Sequence, residues 1–257
     1  MEVFAVEGLP EVRPGDDVAE LLVDQAALRD GDVVCVASTI VSKANGRGRA
    51  LSSYEPSERA ERIAATIEDI AGEEKDPRMA QAIIEECEEV LVEAPFILGV
   101  TEFGHITVNA GIDRSNVPGA DLLLLPEDPT ADAEAIRDGI RERAGVEVSV
   151  IVTDTSGRPF RLGQRGVALG WAGLPASRDW RGEHDRDGRE LEATVQAVVD
   201  ELAAAANLVT GEGDGGTPAA VIRDFDFGNH AGSEQLFRDP ENDVVRQALR
   251  EWSHVRD

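Results

Sequence analysis

At 257 residues the chain is long enough to bury a sizeable core, either as a single domain over 1–257 or as two closely packed subdomains. Its 51 acidic and 25 basic residues leave a formal charge of −26, which excludes the basic face that general nucleic-acid binding needs and points to solubility in brine with salt-dependent folding. No apolar run approaches the ~18 residues needed to span a membrane and no signal peptide opens the chain, so a soluble, cytoplasmic protein without a membrane partner is expected.

Residues 1–56 read as strand, turn, helix, strand and loop. Pro14-Gly15-Asp16-Asp17 can cap a helix over Val18–Leu28, and Asp30-Gly31 turns the chain into a buried strand over Asp32–Ser38. Ser38–Lys43 then leaves that strand toward Asn45-Gly46-Arg47-Gly48-Arg49. Hydroxyls, a rare lysine (Lys75 is the other) and glycines there could hold a phosphate, with a plain polar loop as the preferred alternative. Pro56-Ser57 opens an amphipathic helix, Ser57–Ala71, with Ile63, Ile67 and Ile70 on one face. Asp76-Pro77 supplies the N-cap and first residue of another helix, which carries Ile83, Ile84 and Cys87 inward. Its glutamates at 85, 86, 88 and 89 read as a solvated face, not a metal cluster. Cys35 and Cys87 lack any CxxC spacing and read as buried thiols in a reducing compartment.

Val90–Val92, Phe96–Val100 and Ile106–Val108 are expected strands, with Gly104 turning the last two. In Asn109–Val117, Asp113 sits two residues past a glycine, with Ser115 and Asn116 close behind. Small, oxygen-bearing residues after a strand admit a ligand or simply make an Asx turn. Leu122–Leu125 is another strand, and Thr130–Ala144 a helix stopped by Gly145.

Val148–Gly166 organises the chain. A β-branched strand breaks at Asp154-Thr155 into a turn of Gly, Pro and Ser, presenting a carboxylate and a hydroxyl at its carboxyl end. Oxygen ligands so placed suit Mg²⁺ or Mn²⁺. Arg158, Arg161 and Arg165 follow, and guanidinium forks recognise carboxylate and phosphate, although surface ion pairs would also account for them. Val167–Gly173 reads as a packed strand, 178–190 as a charged loop with His184 at the surface, and Glu190–Leu208 as the longest helix. Ala219–Ile222 is a strand, and a tail over about 224–257 is irregular until Asp239-Pro240 caps a short helix reaching Trp252. Gly211-Glu-Gly-Asp-Gly-Gly216 matches GxGxxG by letter. The dinucleotide fingerprint requires a strand before and a helix after, whereas here the order is helix, loop, strand. With no Walker A signature either, the expected fold is α+β, mixed sheets with flanking helices, neither Rossmann nor P-loop.

Several of these pieces together resemble one family. Asn109-Ala-Gly-Ile-Asp-Arg-Ser-Asn116 and Thr153-Asp-Thr-Ser-Gly-Arg-Pro-Phe-Arg-Leu-Gly-Gln164 look like signatures of the coenzyme F420:L-glutamate ligase (F420-0:gamma-glutamyl ligase) family. So do Ile40-Val-Ser-Lys43, Asp76-Pro-Arg78, Arg181-Gly-Glu-His-Asp185, Gly188-Arg-Glu-Leu191 and Asp200-Glu-Leu-Ala203, in order along nearly the whole chain. The resemblance implies a GTP-dependent amide ligase that adds L-glutamate to a deazaflavin precursor through an acyl phosphate, uses a pair of divalent ions, Mg²⁺ or Mn²⁺, with K⁺, and forms homodimers. It implies metal ligands at Asp113, Asp154, Thr155 and Glu212, the last where some members carry glutamine, with Asp113 and Asp154 central to catalysis. It implies GTP contacts at Leu9, Pro10, Glu11, Val12, Ser38, Thr39, Lys43, Asn116, and Thr210, Gly211, Glu212, Gly213, Asp214, Gly215, Gly216 and Thr217. Arg158, Arg161 and Arg165 are then candidates for holding the acidic substrates. Ser156 and Phe160 depart from the bulkier Phe and Trp common in the family, Asn45 stands where Glu is common, and Thr39 where Lys or Gln is frequent. The competing expectations are another metal-dependent GTP phosphohydrolase or phosphotransferase, and a non-catalytic acidic metal-binding protein.

Overall fold

Runs such as Val33–Ala37 and Val150–Val152, apolar at every position, are what a strand buried on both faces requires, and they form the middle of a five-stranded sheet. The computed structural model describes residues 1–72, 74–117 and 119–252 and is an α+β arrangement of mixed sheets and helices. It divides into two compact units, Met1–Asn45 with Asp128–Leu236, and Gly46–Glu127 with the chain from Phe237 onward.

In the first unit the sheet order is Glu2–Ala5, Ala219–Arg223, Val33–Ala37, Ser149–Ser156, Arg165–Ala172. Only Val33–Ala37 and Ser149–Ser156 run parallel, with Ala37 opposite Thr153. Because side chains alternate, Val34, Val36, Val150, Val152 and Val221 face one side, under helices Val18–Gln25 and Pro129–Ala144 through Leu22, Ile136 and Ile140. Val33, Cys35, Ile151, Ala220 and Ile222 face the other, under helix Val198–Thr210 through Val199, Leu202 and Ala206. Two glycines of the last strand allow this double cover. A β-carbon on Gly166 would lie 2.4 Å from the Ala203 carbonyl oxygen, and one on Gly170 would lie 2.2 Å from the Pro129 carbonyl carbon. Helix backbones therefore touch the strand directly on both faces.

At the far end of the sheet Asp32, 1% exposed, accepts from Arg223 Nε at 2.9 Å and Nη2 at 2.7 Å, and from the Arg29 amide at 2.9 Å. The Arg223 guanidinium also stacks over Phe4, 5.1 Å from its ring centre.

Several local expectations need correction. The segment after Val33–Ala37 is not a loop but a helix, Ser38–Ala44, that starts without a side-chain cap and is held by burial of Ile40 and Val41. The strand bearing Asp154 continues through Ser156, paired with Arg165. The long helix begins at Val198, not Glu190, because residues 182–196 spend their backbone groups across the chain. Leu191 pairs with Gly182 and Glu183, Thr194 accepts from Trp180, and Val195–Gln196 is a strand against Arg178–Asp179. At 13 residues that helix is shorter than Pro129–Ala144, which has 16.

In the second unit, helices Glu58–Ala71 and Pro77–Glu85 pack through Ile63, Ile67, Met79 and Ile83 onto Ile97 and Leu122. The caps are those expected, Ser57 and Asp76. Ile70, however, turns to solvent in the last turn, and Cys87 lies beyond its helix, its sulfur over Gly99. A three-stranded antiparallel sheet, Glu89–Val92, Leu98–Val100 and Ile106–Val108, completes the unit with a short ladder of Gly48–Arg49 on Leu122–Leu123. The glutamate run is not one solvated face. Glu86 bonds Arg47 at 2.7 Å, and Glu89 starts a strand and binds Arg246 at 2.6 Å and Arg250 at 2.5 Å. Those arginines lie on the last helix, Val244–Arg250, which Asp243 caps instead of Asp239.

Candidate functional site

Two neighbouring strands that run parallel end on the same edge, and ligands of open α/β sheets bind beyond such carboxyl ends. Here Ala37 pairs with Thr153, so the next residue of each strand emerges there, and Ser38 Oγ donates to Asp154 Oδ1 at 3.4 Å. One residue on, Thr155 Oγ1 donates to Glu212 Oε1 at 2.9 Å. Asn207, near the end of helix Val198–Thr210, donates to the same Glu212 oxygen at 2.6 Å and lies 3.4 Å from Thr155 Oγ1. Asn207 thereby orients the first acidic side chain of the glycine loop. No sequence motif drew attention to it, because its role depends on a helix end meeting a strand end.

The Thr210–Thr217 loop closes on itself, Thr217 Oγ1 donating to the Thr210 carbonyl at 3.1 Å, with Gly211 and Gly216 at positive φ. Residues 211–216, including Gly213, Asp214 and Gly215, are exposed. Behind the same edge the buried Lys43 donates from Nζ to Glu11 Oε1 at 2.6 Å. That pair ties helix Ser38–Ala44 to the Leu9–Val12 segment, whose Val12 is buried while Pro10 is exposed. Thr39 lies half-buried in the first turn of that helix.

One unit thus gathers Ser38, Asp154, Thr155, Asn207 and Glu212. The donors are oxygens of carboxylate and hydroxyl, the chemistry of a hard divalent cation. The fit is partial: among the described residues no group of three His, Cys, Asp or Glu side chains could hold a metal, and Glu212 Oε1 is already engaged by two donors.

Asp113 and Asn116 belong to the second unit. The Asp113 backbone exchanges two 2.9 Å bonds with Leu123, and its Oδ1 accepts from the Ser115 amide and hydroxyl, each at 2.8 Å. This is an Asx turn that presets the carboxylate. Around it Asn109, Ala110, Gly111 and Asn116 all have positive φ, and Ala110 is buried. Backbone held this way by non-glycine residues persists only where packing over-determines it.

The three arginines after Asp154 are not equivalent. Arg165 opens a strand with its Nη1 3.8 Å from Asp200 Oδ2, and Asp200 also accepts from the Ala168 amide where the strand pairing shifts. Arg158 and Arg161 sit on the exposed hairpin loop without an ion pair among the described residues, beside Phe160 and Leu162, both fully exposed.

Comparison with known proteins adds the following. Residues 8–224 match the model of the family described as F420-0:Gamma-glutamyl ligase. The chain is 93% identical, over the full length of both, to a protein of Haloarcula marismortui named coenzyme F420:L-glutamate ligase. It is 67% identical to the protein of that name from Natronomonas pharaonis, over 98% of each chain. With the Archaeoglobus fulgidus protein it shares 49% identity over 97% of this chain and 98% of the other.

Proposed function

The chain belongs to the F420-0:gamma-glutamyl ligase family, and from that premise we propose that it couples cleavage of GTP to ligation of L-glutamate onto F420-0. As a coenzyme F420:L-glutamate ligase it must join a carboxylate to an amine, which do not condense in water unaided. The proposed route activates the acid first. The precursor's carboxylate oxygen attacks the γ-phosphorus of GTP, GDP departs, and the acyl phosphate forms. The α-amine of glutamate then attacks the acyl carbon, loses a proton, and expels inorganic phosphate, leaving a γ-linked glutamyl amide when the acceptor already carries a glutamate.

What supports the reading most is the meeting of Ser38 with Asp154, and of Thr155 with Asn207 and Glu212, at one edge of the sheet. Asp154, Thr155 and Glu212, and in the other unit Asp113, are the oxygen donors proposed for Mg²⁺ or Mn²⁺. Divalent ions held by these residues would supply charge neutralisation at the transferring phosphoryl group, in a reaction whose catalysis is mostly positioning and electrostatics. Leu9, Pro10, Glu11, Val12, Ser38, Thr39, Lys43, Asn116 and the Thr210–Thr217 loop are proposed to hold GTP. Lys43, already bonded to Glu11, fixes the segment that would line the nucleotide. Arg158, Arg161 and Arg165 are proposed to hold acidic substrate groups. Stimulation by K⁺ and a homodimer belong to the same proposal.

The test is GDP release in molar KCl with Mn²⁺, with F420-0 and L-glutamate added singly and together. Release should require both acids and give a product heavier by one or more glutamyl units. Asp154→Asn should cut turnover by at least about 100-fold with an unchanged circular dichroism spectrum, since even groups one shell out from a metal cost about 10–100-fold. GDP release without either acid would instead identify a phosphohydrolase, and Mn²⁺ binding without turnover a binding protein.

A further inference from the structure

The pairing of Asp113 with Leu123, and of Arg49 with Leu122, brings three stretches of the second unit to one place: Leu51-Ser52, Arg114 and Asp121. With Arg78 from the first turn of helix Pro77–Glu85 they line a cleft of about 470 Å³. In a chain of charge −26 this cleft presents two guanidinium groups and one carboxylate.

The charges are held differently. Arg78 is anchored by a fork on Asp76, Nε to Oδ1 at 3.0 Å and Nη2 to Oδ2 at 2.6 Å, which leaves its Nη1 edge with no hydrogen bond among the described residues. Arg114 has neither hydrogen bond nor ion pair there, although its backbone is fixed by the Asx turn that begins at the preceding residue. Asp121 is fixed through Oδ2, which accepts from the Leu51 amide at 2.8 Å.

Two cations and one anion, preset by local bonds, are the counter-pattern of an α-amino dicarboxylic acid, which carries two carboxylates and one ammonium at neutral pH. We propose that this cleft binds free L-glutamate, with Arg114 and the open edge of Arg78 taking its two carboxylates and Asp121 its ammonium. This rests on the ligase reading, and it assigns glutamate to this cleft and leaves the hairpin arginines to the deazaflavin acceptor. An ammonium held by Asp121 is oriented before it gives its proton to solvent and becomes the attacking amine.

The experiment is steady-state kinetics of the full chain in molar KCl, with GTP, F420-0 and glutamate varied in turn. Arg114→Ala should raise the KM for glutamate about tenfold or more and leave the KM for GTP and for F420-0 within twofold. Arg114→Lys, which keeps charge but loses the fork, should fall between. Asp121→Asn retains an acceptor for the Leu51 amide and should also raise the glutamate KM, whereas Arg161→Ala should not. If the wild-type protein turns over but Arg114→Ala and Asp121→Asn leave the glutamate KM within twofold, the cleft is not the site and the ligase reading stands. If GDP release by the wild-type protein needs no glutamate, the reading beneath the proposal fails with it.

Discussion

Arg223→Met removes a charge from a deeply buried ion pair while retaining much of its apolar stem. Asp32 is 1% exposed and the Arg223 side chain 12%, so the carboxylate left behind cannot recover water. Breaking a buried pair on one side costs about 3–5 kcal/mol, and loss of the stacking on Phe4 adds roughly 0.5–1 kcal/mol. Against a typical total of about 5–15 kcal/mol the variant should be visibly crippled. The assay is urea unfolding followed by circular dichroism at two KCl concentrations. At 1 M salt the screening length is about 3 Å, so exposed pairs such as Arg181 with Asp179 contribute little, whereas the loss at Arg223 should be undiminished. The pH dependence has a definite sign. Burial pushes the Asp32 carboxyl up, but the hydrogen bonds from Arg223 and the Arg29 amide, with the Arg223 charge, outweigh it and hold the group below its ordinary value. Its contribution is therefore present above about pH 4 and fades as pH falls. In the variant burial is opposed only by the Arg29 amide bond and charge, without Arg223, so the gap to wild type should narrow on acidification. A loss below about 1 kcal/mol, or one that disappears in high salt, would refute the reasoning.

Gly170→Ala should cost at least about 2 kcal/mol, because the new methyl would meet backbone atoms of Pro129 and Thr130 at 2.2–2.3 Å and the helix start would have to move. Gly157→Ala, with nothing within 4 Å, is the matched control and should stay within about 0.5 kcal/mol; equal unfolding midpoints for the two would count against the direct strand–helix contact. Glu89 is held down to about 2 from 4.5, first by the Arg250 hydrogen bond, against burial, and then by Arg246. Its stabilising effect should be complete above about pH 4.5 and vanish as pH falls toward 2, so the melting-temperature difference between wild type and Glu89→Gln should close over that window. A difference that does not change with pH would show that the pair does not act through charge.

Where a feature depends on neighbours in the chain, it could be read from the residues. Asp76-Pro77 capped its helix, Gly145 ended another in the left-handed conformation, and the apolar runs at Val33–Ala37 and Val150–Val152 became central strands. Partners distant in sequence were not legible. Ser38–Ala44 carries β-branched residues and no cap, so its helical state is imposed by what Ile40 and Val41 pack against. The stretch from Glu190 has helical apolar spacing, yet Arg178–Asp179 claims its Val195–Gln196 backbone. Glu89 looked like one of four equivalent glutamates until a helix from the end of the chain reached it. The site divides the same way. Asp154 and Thr155 announced themselves at a strand end, while Asn207 is recognisable only once its helix is set beside that strand. For Asp113 and Asp154, the sequence motif suggests a shared task, and the structure describes each in its own unit.

The strand order of the large sheet has a bearing on synthesis. Glu2–Ala5 and Val33–Ala37 leave the ribosome first, but they do not pair with each other. The strand that separates them, Ala219–Arg223, is made only after most of the chain. Until then two apolar strands wait with open edges, the condition under which nascent chains stick to one another. Closure of the sheet must accordingly await synthesis of Ala219–Arg223 and is governed by long-range pairing that forms slowly. A chain released before Ala219 would keep the pairing of Val33–Ala37 with Ser149–Ser156 but leave Glu2–Ala5 unpaired and one edge of Val33–Ala37 open, so premature termination should yield aggregates and not a smaller folded protein.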